Sequence, residues 1–259
     1  MKVFSPIPLR TLAPNAITAS ALSFGLCSAV LSLTGGDLRI AAWFILLSML
    51  LDKLDGSVAR AVRGQSEFGV QFDSFADNIA FGVAPAALVY QVSGSVAPAI
   101  WGSSGHALGV SGHCLLAAIC LFYAMLTTVR LARFNVTTTD IGPYVFQGLP
   151  STMSGGVVAC SYLALGDLKA LTPEILQWFP VVLAVLALLM VSNLPLPKLK
   201  FSTGSMPARI FKISGAVIVY GAVLARTGYV AVTILIFGYM VVGFGWLGPR
   251  LMGPERSAH

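Results

Sequence analysis

Apolar residues along this chain come in long blocks and not in alternation. The blocks run to about 17–25 residues, the length a helix needs to cross roughly 30 Å of hydrocarbon. Eight such helices are predicted, at 13–35, 39–61, 70–95, 111–133, 152–168, 177–195, 209–226 and 228–248. Pro14 near the first start and the Gly35-Gly36 pair at its end are helix punctuation. The fifth run is short and has Gly155-Gly156 near its start, and only Arg226-Thr227-Gly228 separates the last two, a tight hairpin. The pattern predicts an all-α integral membrane protein, a polytopic helical bundle of about eight transmembrane helices. A large soluble helical core is the alternative, but it would need polar faces on its outer helices, and the runs lack them.

Composition agrees with the pattern. The chain is 56% hydrophobic and 10% charged, whereas a soluble domain carries about 25% charged residues. Cys27, Cys114, Cys120 and Cys160 all lie inside apolar runs without metal-ligand spacing, and they read as small buried hydrophobes. The first run is long enough to span and more spans follow, which argues against a cleaved signal peptide.

Charge then orients the bundle. The net charge is +6, but no aromatic-interleaved basic stripe points to nucleic acid. The basic residues sit at the ends of apolar runs, where anionic headgroups lie. With the N-terminus placed in the cytoplasm, the cytoplasmic segments hold twelve basic residues: Lys2, Arg10, Arg60, Arg63, Arg130, Arg133, Lys198, Lys200, Arg209, Lys212, Arg250 and Arg256. Only Arg39, Lys169 and Arg226 fall on the other side, and Lys53 lies within the second span. The expectation is a multi-pass protein of the cell (inner) membrane with both termini in the cytoplasm. His106 and His113 fall at the outer face and are expected to take no part in chemistry. Pro85 is expected to kink the third span.

One stretch breaks the apolar pattern. The chain has ten acidic residues, and Asp52, Asp55, Asp73 and Asp77 crowd into 52–77 with Glu67 between them. Asp52 and Asp55 are three apart near the cytoplasmic end of the second span, and Asp73 and Asp77 are four apart at the start of the third. Each pair therefore shares a helix face. Gly64 and Gly69 permit a tight reversal, so the two faces can meet across a helical hairpin near the cytoplasmic interface. A lone acid at a helix end is usually solvated, and one such pair would mean little. Four matched carboxylates beside small residues stay ionised only around cations. Oxygen-only ligands suit Mg²⁺ or Mn²⁺, and such a site at a membrane surface suits a phosphate or pyrophosphate. Arg60 could pair with an acid or a phosphate. A transporter or channel would instead spread its acids near midplane over several spans.

The run D52-x-x-D55-G56-x-x-A59-R60-x₈-G69-x-x-x-D73-x-x-x-D77 resembles the signature of the CDP-alcohol phosphatidyltransferase family at every fixed position. Further segments resemble its serine-accepting branch: APNAIT (13–18), FGVQFDSFADNIAFGVAPA (68–86), RLARFNV (130–136), FQGLP (146–150) and MVSNLPLPKLK (190–200). The resemblance covers residues 10–201. It implies a membrane enzyme that transfers the phosphatidyl group of CDP-diacylglycerol to the hydroxyl of L-serine and releases CMP. Glycerol 3-phosphate, inositol phosphate or choline are the alternative acceptors.

Residue by residue, the resemblance implies that Asp52, Asp55 and Asp73 ligate two Mg²⁺ or Mn²⁺ ions, with Asp77 near the second ion and acting as general base. Gly56, Ala59 and Gly69 would line the nucleotide pocket, Arg60 would contact the phosphates or hold the aspartates, and Asn15 and Thr18 would sit by the nucleotide. For the acceptor's carboxylate or a phosphate the candidates are Arg130 and Arg133, three apart on one face, and Lys198 and Lys200. Ordinary positive-inside anchoring is the alternative for all four. Direct attack on the β-phosphorus and a route through an aspartyl-phosphate use the same metal assistance. The expected organisation is a cytoplasmic segment 1–12, a catalytic membrane domain 13–201, two further helices within 202–248 and a cytoplasmic tail 249–259. The abundance of Gly and Ala favours close helix packing and a homodimer.

Overall fold

In the computed structural model, the first six apolar runs form helices within a few residues of their predicted limits. The structure describes residues 9–62, 64, 66–96, 111–137 and 145–197, with Tyr229, Val230, Thr233, Ile234 and Gly238. The predicted helices 209–226 and 228–248 lie outside the described residues apart from those last positions, as do Arg63, His106, Lys198 and Lys200. The helices are α1 (Leu9–Leu33), α2 (Leu38–Ala61), α3 (Glu67–Asn78), α4 (Ala84–Gly94), α5 (Gly112–Thr137), α6 (Ser151–Asp167), α7 (Pro173–Leu176) and α8 (Trp178–Val191). A π-helical turn, Ile79–Val83, joins α3 to α4. Arg10–Leu33, Glu67–Gly94, Gly112–Val136 and Pro173–Val191 are each long and apolar enough to cross a membrane. Helix α2 has similar length but carries Asp52, Lys53 and Asp55 in its second half. The protein is a polytopic, membrane-spanning helical bundle.

Small residues let α1 and α2 lie close along their length. The Ser28 hydroxyl donates to the Ala41 carbonyl at 2.8 Å, and Ser48 donates to that of Ala21 at 2.8 Å. Both serines are buried, and a hydroxyl with no water in reach must find such an acceptor. Around this pair, α4, α5, α6 and α8 enclose Phe81, Leu88, Leu116, Tyr123, Leu163 and Leu183. On the face away from the aspartates, Asp37 caps α2 through the Arg39 and Ile40 amides. There Arg39 pairs with Asp167 at the end of α6.

Three features depart from expectation. The third span carries a π-helical turn at Ile79–Val83, two residues before Pro85, which the apolar pattern does not announce. Cys120 and Cys160 are buried, but Cys27 and Cys114 are exposed. In a chain whose outer faces meet lipid, an apolar run does not tell inside from outside. Finally, Val145–Gln147 (β1) and Pro195–Pro197 (β2) form an antiparallel ribbon, Val145 opposite Pro197 and Gln147 opposite Pro195. Proline favours extended backbone before it and cannot extend a ladder, which accounts for a ribbon of three residues per strand. Gly148 follows β1 with φ +72°, and a Cβ there would lie 2.5 Å from the Met190 carbonyl oxygen. Only glycine accommodates both the backbone and the contact.

Candidate active site

The hairpin between α2 and α3 is set by local chemistry. The Ser66 hydroxyl accepts from the Gly69 amide at 3.0 Å and starts α3. Buried Gly64 packs so closely on α1 that a Cβ would stand 2.4 Å from the Arg10 carbonyl oxygen. Pro14 has no N–H to offer that carbonyl, so the turn can pass against the first helix there. The result is a three-helix corner with the acids on its inner side.

Asp52, Asp55 and Asp73 each offer a carboxylate oxygen, and all three oxygens lie within 4.8 Å of one another. Oxygens on opposite sides of one divalent ion are separated by about 4.2–4.8 Å at the usual ligand distances, so the trio fits such an ion. The donors are all hard carboxylate oxygens, which suits Mg²⁺ or Mn²⁺ and not zinc. Asp55 is nearly inaccessible at 5% exposure, and the buried Thr18 hydroxyl donates to its Oδ2 at 2.6 Å. That short bond to a carboxylate is of the strong kind. Asp77 stands beside the trio, with its carboxyl near that of Asp52.

A cavity of about 550 Å³ opens on one side of the trio. Asp55 and Asp73 form its floor. Asn15, Thr18, Gly56, Ala59, Arg60 and Gly69 all line it. At Gly69 a Cβ would come 3.2 Å from the Asn15 Oδ1 and 3.1 Å from the Ser66 Oγ, whereas at Gly56 it would meet only the Arg60 guanidinium, at 3.4 Å. The Arg60 charge acts on Asp55, and the side chain is exposed at the rim. Ser66 and Glu67 also line the cavity and were not anticipated. The signal for Ser66 was present: a serine directly before an acidic first turn is a helix-cap pattern.

Helix α5 brings two arginines with different surroundings. Arg130 is buried and donates to the Ser151 Oγ at 3.0 Å. It lies over the Phe134 ring, and its charge acts on Asp77 and Asp52. Arg133 instead donates to the Val191 and Ser192 carbonyls at 2.8 and 3.1 Å and to the Asn193 Oδ1 at 3.1 Å. The last carbonyls of a helix lack intrahelical donors, and Arg133 supplies them for α8. Two further bonds hold α3 against α5: Thr128 donates to Asn78, and Asn135 donates to Ser74. His113 is exposed at the start of α5, at the opposite end of that helix from Arg130.

A family model described as CDP-alcohol phosphatidyltransferase matches residues 11–190. A protein of Helicobacter pylori named CDP-diacylglycerol–serine O-phosphatidyltransferase is 34% identical over 195 residues, 75% of this chain and 76% of its own length. A Mycobacterium leprae protein of the same name is 27% identical over 234 residues, covering 88% of this chain and 71% of its own. One from Bacillus subtilis is 30% identical over 128 residues, 49% and 62%. The match takes in every helix that bears an acid or a cavity residue, and so the chain belongs to the CDP-alcohol phosphatidyltransferase family.

Proposed function

We propose that this enzyme transfers the phosphatidyl group of CDP-diacylglycerol to the hydroxyl of L-serine. The observation that carries the reading is the carboxylate trio, with Asp55 and Asp73 lining a cavity and the charge of buried Arg130 acting on Asp52 and Asp77. The names of the relatives support serine as the acceptor.

The cavity lined by Asn15, Thr18 and Gly69 holds the cytidine end of the donor, and Arg60 at its rim meets the phosphates. Asp52, Asp55 and Asp73 would hold divalent cations, two Mg²⁺ or Mn²⁺ ions, with Asp77 near the second. Such cations would supply positive charge to neutralise a pyrophosphate and stabilise CMP as leaving group. Asp77 takes the proton from the serine hydroxyl, and position contributes more to its role than basicity. The serine oxygen attacks the β-phosphorus, forming the new O–P bond as the bond to the CMP oxygen breaks. Arg130 grips the serine carboxylate, since an arginine fork matches a carboxylate. Arg133 is the weaker candidate because its guanidinium already serves α8.

The same reading places the catalytic membrane domain at 13–201, with two more spans within 202–248 to make eight. It puts both termini and the active site on the cytoplasmic side, and it expects a homodimer. Charge bias supports the orientation: the acids share their end of the bundle with Arg60, Arg130 and Arg133. The test is incorporation of labelled serine into lipid by the purified protein with CDP-diacylglycerol and Mn²⁺ or Mg²⁺. Glycerol 3-phosphate, inositol phosphate and choline are run in parallel. Product with serine alone is expected; product with another acceptor and none with serine would overturn the assignment.

A further inference from the structure

The π turn Ile79–Val83 begins two residues after Asp77. Its wide winding is visible in the Ala84 amide, which reaches back five residues to the Ile79 carbonyl. Pro85, four residues beyond Phe81, has no N–H to offer the Phe81 carbonyl. A buried carbonyl without a donor is costly. Tyr123, fully buried on α5, supplies that donor: its hydroxyl bonds the Phe81 oxygen at 2.8 Å. With its one proton used there, the Tyr123 oxygen accepts from the Ser154 hydroxyl of α6 at 2.9 Å.

The turn is also gripped by backbone contact. A Cβ on Gly25 of α1 would lie 2.8 Å from the Ala80 Cα, and one on Gly155 of α6 would lie 3.0 Å from the Phe81 ring. A Cβ on Gly82 would meet Thr127 of α5 at 3.2 Å. Three helices thus close on five residues directly beneath the aspartates.

We propose that Tyr123, backed by Ser154, is a positioning residue for the metal-binding carboxylates, because its hydroxyl holds the π turn that sets the rotational phase of Asp73 and Asp77. A π turn inserts one residue into the helix, and each residue carries about 100° of rotation. Buried Ala84, Pro85, Ala87 and Leu88 fix α4, so regular winding through the turn would rotate α3 instead. A carboxylate about 5 Å from the helix axis would then swing by roughly 8 Å, far outside the trio. The proposal rests on the metal-site reading given above.

The test is Mn²⁺ binding to the purified full-length protein, followed by electron paramagnetic resonance without substrate, alongside the thermal midpoint. Y123F and S154A are expected to weaken Mn²⁺ binding by about fivefold, the scale of one or two buried hydrogen bonds. L163A, a core truncation on α6, is expected to lower the midpoint and leave Mn²⁺ affinity within twofold. D73N separates the two readings. If D73N binds Mn²⁺ like the wild type, the metal site itself is wrong and the inference falls with it. If D73N loses Mn²⁺ and both Y123F and S154A keep it, or if L163A weakens it as much as they do, only the positioning role is overturned.

Discussion

Replacing Thr18 by valine removes one hydroxyl and keeps the shape of the side chain. That hydroxyl donates to the Asp55 Oδ2 at 2.6 Å from a position only 4% exposed. A hydrogen bond to a charged group contributes about 1.5–3 kcal/mol, and the lower end sets the least that the substitution should cost. About 1.4 kcal/mol corresponds to a factor of ten, so T18V should raise the Mn²⁺ concentration for half-maximal activity about tenfold. Serine, which keeps the hydroxyl, should restore most of the loss in T18S. The assay is CMP release by the purified enzyme in lipid nanodiscs over a Mn²⁺ titration at saturating CDP-diacylglycerol. A T18V enzyme within twofold of the wild type at subsaturating Mn²⁺ would refute the reasoning. So would a T18S enzyme as impaired as T18V.

Three other substitutions probe separate parts of the site. D77N should lower kcat by about 10²–10⁴-fold, the range for loss of a general base, while equilibrium binding of CDP to the Mn²⁺-loaded protein persists; an active D77N enzyme would remove the base assignment. R130K should raise the KM for serine by about tenfold with the KM for CDP-diacylglycerol little changed, because a lysine cannot reproduce the guanidinium fork; steady-state kinetics with each substrate varied would show an equal rise in both if Arg130 served only packing. G148A must place a Cβ 2.5 Å from a carbonyl oxygen at φ +72°, which should cost about 2 kcal/mol or more and lower the thermal midpoint by about 4 °C or more.

The first six helices were legible because each is a long, mainly apolar run, and the acid site was legible because spacings of three and four fix faces on a helix where the second and third runs carry their aspartates. Glycine spacing around the hairpin was equally readable, and the close contact of Gly64 with the Arg10 carbonyl shows why. What was not legible depends on partners distant in sequence. Arg130 and Arg133 look alike in the chain, and they are told apart only by Ser151 on one side and by residues 191–193 on the other. The π turn needed Tyr123, 42 positions from Phe81, to complete the carbonyl that Pro85 leaves without a helical donor. The exposed faces of Cys27 and Cys114 were hidden for another reason, since lipid removes the polar stripe that marks the outside of a soluble helix.

The ribbon of β1 and β2 has a consequence for the order of assembly during synthesis. Asp52 to Asp77 leave the ribosome early, but the groups that finish the opposite wall come much later. Arg133 and Gly148 both wait for acceptors between Val191 and Leu194, and β1 waits for Pro195–Pro197. Since chains fold from the N-terminus as they emerge, a nascent chain halted before residue 191 carries all four aspartates and the cavity residues while Arg133 and Gly148 still lack their acceptors. The fastening of α5 through Arg133 and of the turn at Gly148 is thereby tied to the arrival of the end of α8.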